Sequence, residues 1–169
     1  TPSKPRKFQF ISAGELDLRP PEFLVGGWIE TDAFGVIFGQ PGTAKSFLAI
    51  DLALCIASGH DFHGEPVLQG SAFYIAGEGR NGLARRFHAW AKDKGVSLNG
   101  VPIFTSSRAA QFLEDASEVS DAVDDLAAAH GPPRVIIIDT LARNYGPGDE
   151  NDTASMSKFV AAMDALRAN

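Results

Sequence analysis

The chain has 169 residues, 44 % of them apolar, with a formal net charge of −6, 17 glycines, 10 prolines and one cysteine. That length supports one domain with a real core, and the acidic balance argues against a broadly basic nucleic-acid-binding surface. No stretch reaches the roughly 18–20 uncharged apolar residues that span a bilayer, so no membrane partner is expected. The basic start, Thr1-Pro2-Ser3-Lys4-Pro5-Arg6-Lys7, lacks the apolar centre of a signal peptide.

Residues 1–22 are polar and proline-rich and read as an N-terminal arm, with 23–169 as the core domain. Phe23 to Ile29 is a short apolar segment interrupted by Gly26-Gly27. From there strand and helix signals alternate. Strands are predicted at 34–38, 71–76, 101–105 and 134–139, and helices at 45–58, 81–94, 116–130 and 153–168. Arg134-Val135-Ile136-Ile137-Ile138-Asp139 is continuously apolar and β-branched, the pattern of a central strand covered on both faces. Ala84, Phe87, His88 and Ala91 form one helical stripe, and Val119, Val123, Leu126 and Ala127 another. The alternation predicts an α/β fold, a doubly wound and mostly parallel sheet. Its C-terminal helix ends where another strand is expected, so the core is read as truncated at the C-terminus. Cys55, within the first helix and without a partner, reads as a small buried hydrophobe in a reducing, cytoplasmic setting.

Chemistry enters at Gly39-Gln40-Pro41-Gly42-Thr43-Ala44-Lys45-Ser46, between a predicted strand and a predicted helix. That context suits a phosphate-binding loop, whose backbone N–H groups curl around phosphate at the positive end of a helix. Lys45 then reaches the β- and γ-phosphates and Ser46 ligates Mg²⁺. The nucleotide site is expected on Gly39, Gln40, Pro41, Gly42, Thr43, Ala44, Lys45, Ser46 and Phe47. The pattern asks for glycine where this chain has Ala44. Alanine fits if it keeps φ < 0 at the helix start, and that conformation is the expectation. A bare turn with a capping Thr43 or Ser46 is the competing reading.

Two carboxylates extend the site. Asp139 ends the most apolar strand, where it is placed to hold Mg²⁺ through water. Glu78 follows the strand Ala72-Phe73-Tyr74-Ile75-Ala76, between Gly77 and Gly79, and is a candidate to orient and deprotonate the attacking water. A helix- or turn-capping role for Asp139, and a turn or Arg80 salt bridge for Glu78, are the alternatives.

In this order the three motifs resemble the RecA-like ATPase core, in which the glutamate follows the strand after the phosphate-loop helix. Ala76-Gly77-Glu78-Gly79-Arg80, Leu83-Ala84-Arg85-Arg86 and Ile138-Asp139-Thr140-Leu141-Ala142-Arg143 are similar to the RepA-type branch of plasmid and phage replicative helicases and related AAA-family ATPases. The resemblance covers about residues 23–168. It implies Mg²⁺-dependent ATP hydrolysis, with Lys45 and Glu78 as catalytic residues, in a homo-oligomeric ring or filament. It also implies single-stranded DNA as a partner, through Arg143 on a phosphate and Tyr145 on a base. Asp149, Glu150 and Asp152 oppose that contact, and a loop capping the next helix through Asp152 or Thr153 competes with it. An arginine finger is expected beyond Asn169, with Arg80, Arg85 and Arg86 as candidates for subunit contacts. His60 and His63 read as loop residues without a metal, and Trp28 and Trp90 as packing residues. A nucleotide-gated regulatory module and a small-molecule kinase are the remaining alternatives.

Overall fold

The computed structural model describes residues 10–77, 79–147 and 152–167, with the side chains of Arg80 and Arg167 outside that description. Residues 10–22 are exposed and carry one 3-10 turn, Ala13–Glu15. A two-stranded antiparallel ribbon follows, β1 (Phe23–Val25) and β2 (Ile29–Glu30), with Gly27 at φ 69° in its turn.

The core is α1 (Lys45–Ser58), β3 (Ser71–Ala76), α2 (Arg80–Lys94), β4 (Ile103–Thr105), α3 (Phe112–His130), β5 (Pro133–Asp139), the single turn α4 (Leu141–Asn144) and α5 (Thr153–Arg167). The sheet order is β4-β3-β5, and both pairings are parallel. Side-chain alternation sorts the two faces. Ala72, Tyr74, Val135 and Ile137 pack with α1 and α2, around Ala53, Leu54, Leu83 and Phe87. Ile75, Ile136 and Ile138 pack on the other face with Phe112, Phe159 and Met163 of α3 and α5. Helices therefore cover both faces of a parallel sheet, the doubly wound α/β arrangement expected from the sequence.

Helix α1 is apolar nearly all round, with Ala49, Ile50 and Leu52 through Ala57 buried. A helix of that kind has to be enclosed. One side meets the sheet, and the other meets β1 and the loop at Phe62. It ends on Gly59 at φ 76°, whose N–H bonds to the Cys55 carbonyl.

Three expectations are corrected. Residues 34–38 form no strand: they have no ladder partner among the described residues, and Phe34, Val36, Ile37 and Phe38 are 49–90 % exposed. An apolar, β-favouring segment becomes a strand only when a neighbour accepts its backbone hydrogen bonds. Among the described residues the central strand is β3 rather than β5, which pairs with β3 on one side only. The buried stripe of α2 is Leu83, Phe87 and Ala91, spaced four apart, while Ala84 and His88 are exposed.

Candidate nucleotide site

Helix α1 brings the phosphate-loop motif to the carboxyl edge of the sheet. Its last turn sits at the start of β3, where the Gly70 N–H donates to the Ile56 carbonyl at 3.2 Å. Its first turn, at Lys45, therefore points towards the other end, where β3 and β5 finish. Ligands of open α/β sheets bind at that end.

The loop itself is exposed through Ala44, with Lys45 and Ser46 half-buried. Gly42 has φ 82° and Ala44 has φ 63°, ψ 19°, with Thr43 between them on the negative side. The expectation that Ala44 keeps φ < 0 is thus overturned. Positive φ at Gly42 and Ala44 keeps this loop tightly curved ahead of α1, with the Thr43 N–H donating to the Gln40 carbonyl at 3.4 Å. The glycine of the pattern is replaced at a position that needs left-handed backbone, and alanine meets the need at a cost of about 1–2 kcal/mol. Thr43 Oγ1 donates to the Gln40 carbonyl at 2.8 Å, fixing the preceding turn.

The Lys45 side chain folds back over the loop, its Nζ donating to the Gly39 and Gln40 carbonyls at 2.8 and 2.9 Å. Its ammonium thus lies against the Gly39–Gln40 stretch of the loop. Phe47 is 58 % exposed and lies under the Arg86 guanidinium, 5.1 Å from its ring centre. It borders a groove of about 470 Å³ between α1 and α2, lined also by Ile50, Arg85 and Trp90.

Asp139 ends β5 opposite Ala76. Alternation along the strand puts its side chain on the face of Val135 and Ile137, the face that α1 covers. Its Oδ2 accepts the hydroxyl of buried Tyr74 at 2.6 Å. The Gly77 N–H donates to the Asp139 carbonyl at 2.7 Å, and the Asp139–Thr140 peptide is cis. Among the described residues no hydrogen bond or ion pair joins Lys45 or Ser46 to Asp139. Glu78 lies outside the described residues. A Cβ on Gly77 would collide with the Arg143 side chain, whereas Gly79 faces open space. Only the first of these two glycines is required by close approach.

A hydroxyl and a carboxylate are hard-oxygen donors, the kind Mg²⁺ takes alongside phosphates and water. Ser46 and Asp139 are therefore the residues that fit the ion.

Beyond Asp139, Arg143 is exposed, but Tyr145 is not available for stacking on a base. It is 3 % exposed and its ring stacks on Phe159 at 5.4 Å. Neighbouring Phe112, Ile75 and Met163 complete that apolar cluster, which outcompetes solvent for an aromatic side chain. Asp152 caps α5, accepting the Ser155 N–H at 2.8 Å, while Asp149 and Glu150 lie outside the described residues.

His63 pairs with Asp51 at 3.2 Å, and His60 Nδ1 lies 3.1 Å from Ser58 Oγ. Asp51 also accepts the Trp90 indole N–H at 2.6 Å, so Trp90 pins α2 to α1 as well as packing between them. Trp28 packs edge-on against Phe62 while remaining 60 % exposed. Sequence reasoning missed Tyr74, Asp51 and Asn144 as organising polar groups, because each looks ordinary until the fold supplies its partner.

A parallel sheet wrapped by helices, with a phosphate loop opening α1 and an aspartate closing a strand on the same face, defines a P-loop nucleoside triphosphatase core. A family model described as AAA domain matches residues 1–169, and the chain belongs to that family. The family is of the ATPase type and binds nucleotide. No curated protein matches the chain.

Proposed function

We propose that the chain is a RecA-like ATPase core of the RepA-type branch, hydrolysing ATP with Mg²⁺. The observation that carries this reading is the shared face and edge of the α1 phosphate loop and Asp139. Lys45 and the loop N–H groups would bind the phosphates, and Ser46 and Asp139 would hold the Mg²⁺, which when bound would supply neutralising charge to the phosphoryl oxygens. Glu78, placed after Gly77, orients the attacking water and takes its proton. Hydrolysis would drive a replicative helicase or single-stranded DNA translocase, assembled as a homo-oligomer, with Arg143 as the exposed cation next to the site.

The burial of Tyr145 favours a second reading, a nucleotide-gated regulatory or assembly module without translocation. One experiment separates them: ATP turnover by the wild type, Lys45→Ala and Glu78→Gln, each with and without single-stranded DNA. Turnover in the wild type, lost in both variants and stimulated by DNA, supports the translocase. Turnover indifferent to DNA leaves the module, and equal turnover in all three proteins removes the ATPase assignment.

A further inference from the structure

Tyr74 sits in the middle of the central strand, 1 % exposed, in register with Ile137 of β5. Asp139 lies two residues further along that neighbouring strand, about 6.6 Å on, and on the same face. The tyrosine ring spans that offset, held edge-on by Phe87 at 6.1 Å. Its hydroxyl donates to one oxygen of the Asp139 carboxylate at 2.6 Å, a short, charge-assisted bond. A leucine or phenylalanine would fill the same core volume without bringing a polar group that has to be satisfied.

We propose that Tyr74 is a positioning residue for Asp139: its hydroxyl holds the carboxylate in one rotamer, leaving the second oxygen directed at the metal shell. The inference rests on the Mg²⁺-nucleotide reading above. The bond also withdraws charge from Oδ2, so a divalent ion meets a carboxylate already oriented. Loss of a group that orients a metal ligand typically costs about 10–100-fold in metal affinity or activity.

The test is Tyr74→Phe, which keeps the ring and removes only the hydroxyl. A fluorescent ATP analogue is titrated onto wild type and variant, once in EDTA and once against increasing Mg²⁺. The expected result is unchanged affinity in EDTA and an Mg²⁺ requirement raised about 10-fold. Turnover at saturating Mg²⁺ should fall in kcat more than it rises in KM. In an Asp139→Asn background, Tyr74→Phe should have no further effect on the Mg²⁺ requirement. An equal Mg²⁺ requirement in wild type and Tyr74→Phe overturns the inference and leaves the ATPase reading standing. A wild type that binds nucleotide without regard to Mg²⁺ sinks both.

Should Tyr74→Phe fail to melt cooperatively, the wild-type hydroxyl remains observable. The chain has two tyrosines, so Tyr145→Phe leaves Tyr74 as the only one. Its near-UV difference absorption should change when Mg²⁺ is added to the nucleotide complex, and that change should vanish with Asp139→Asn. A flat difference spectrum overturns the proposal.

Discussion

The carboxamide of Asn144 accepts the backbone N–H of Ala110 at 2.9 Å, tying the loop after β4 to the turn after Asp139. Its Nδ2 donates to the Thr140 carbonyl at 2.9 Å, and the residue is fully buried. The Gly77 backbone lies against this turn, so three loops at the carboxyl edge of the sheet meet around one side chain.

Asn144→Ala should therefore destabilise the fold by about 1–3 kcal/mol, because the buried Ala110 N–H loses its acceptor, while the Thr140 carbonyl keeps the backbone N–H groups of Arg143 and Asn144. For a domain of this size that lowers Tm by roughly 3–10 °C. Exposed Asn99→Ala serves as the reference, expected within about 0.5 kcal/mol of wild type. Thermal unfolding that cannot distinguish the two variants would mean that Asn144 is dispensable.

The left-handed Ala44 predicts a gain. Glycine at that position relieves about 1–2 kcal/mol of backbone cost and returns roughly 0.5–1 kcal/mol through the entropy of the unfolded chain. Ala44→Gly should raise stability by up to about 1 kcal/mol, and Ala44→Val, β-branched in a left-handed conformation, should lower it. Chemical denaturation measures both. A loss of stability in Ala44→Gly would contradict the observed φ of 63°.

The helices and three of the four expected strands were legible because their signals are local. Helix α1 spans Lys45–Ser58 and β3 spans Ser71–Ala76, the bounds that periodicity and turn residues predict. What stayed hidden depends on partners distant in sequence. Phe34 to Phe38 has every intrinsic preference for a strand, but a strand also needs a neighbour to accept its hydrogen bonds. Tyr145 reads equally well as a base-stacking residue or a core residue, and only the arrival of Phe159 from α5 decides it. At the candidate site the motif residues were visible, but the conformation of Ala44 was not. Whether a loop position is left-handed depends on the closed turn rather than on residue type.

Acid should act through two helix N-termini. Asp115 lies below the ordinary 3.8, first because Arg108 hydrogen-bonds to it and then because it accepts the Gln111 N–H. Asp152 is lowered by the Ser155 N–H. A carboxylate with a depressed folded-state pKa binds fewer protons folded than unfolded. Its stabilising contribution is thus present above 3.8 and lost as pH falls through that value towards the folded pKa. Asp115→Asn and Asp152→Asn should each flatten the decline of Tm below about pH 4. Arg108→Gln should do the same in part. An acid limb identical to wild type in all three would remove these caps as its cause.

Cys55 should behave as a latent thiol. Burial first, and the nearby Asp51 carboxylate next, push it up from 9.0 to about 12. Its Sγ lies 3.6 Å from Asp51 Oδ1 and 3.5 Å from the Asp61 carbonyl, so the proton has acceptors to hold it. Only the thiolate attacks an alkylating reagent, and three pKa units reduce its population about 1,000-fold at a given pH. Iodoacetamide at pH 8 should therefore label the denatured chain at least about 100-fold faster than the native one. Saturating nucleotide should slow native labelling further by suppressing opening. Because the thiol holds its proton more tightly when folded, its contribution is present below 9.0 and lost as pH rises towards 12. Asp51→Asn removes the carboxylate charge while keeping an acceptor for the Trp90 indole, 2.6 Å away in the wild type. That variant should speed native labelling with little change in Trp90 fluorescence. Native labelling as fast as denatured labelling would place Cys55 at the surface and contradict its 1 % exposure.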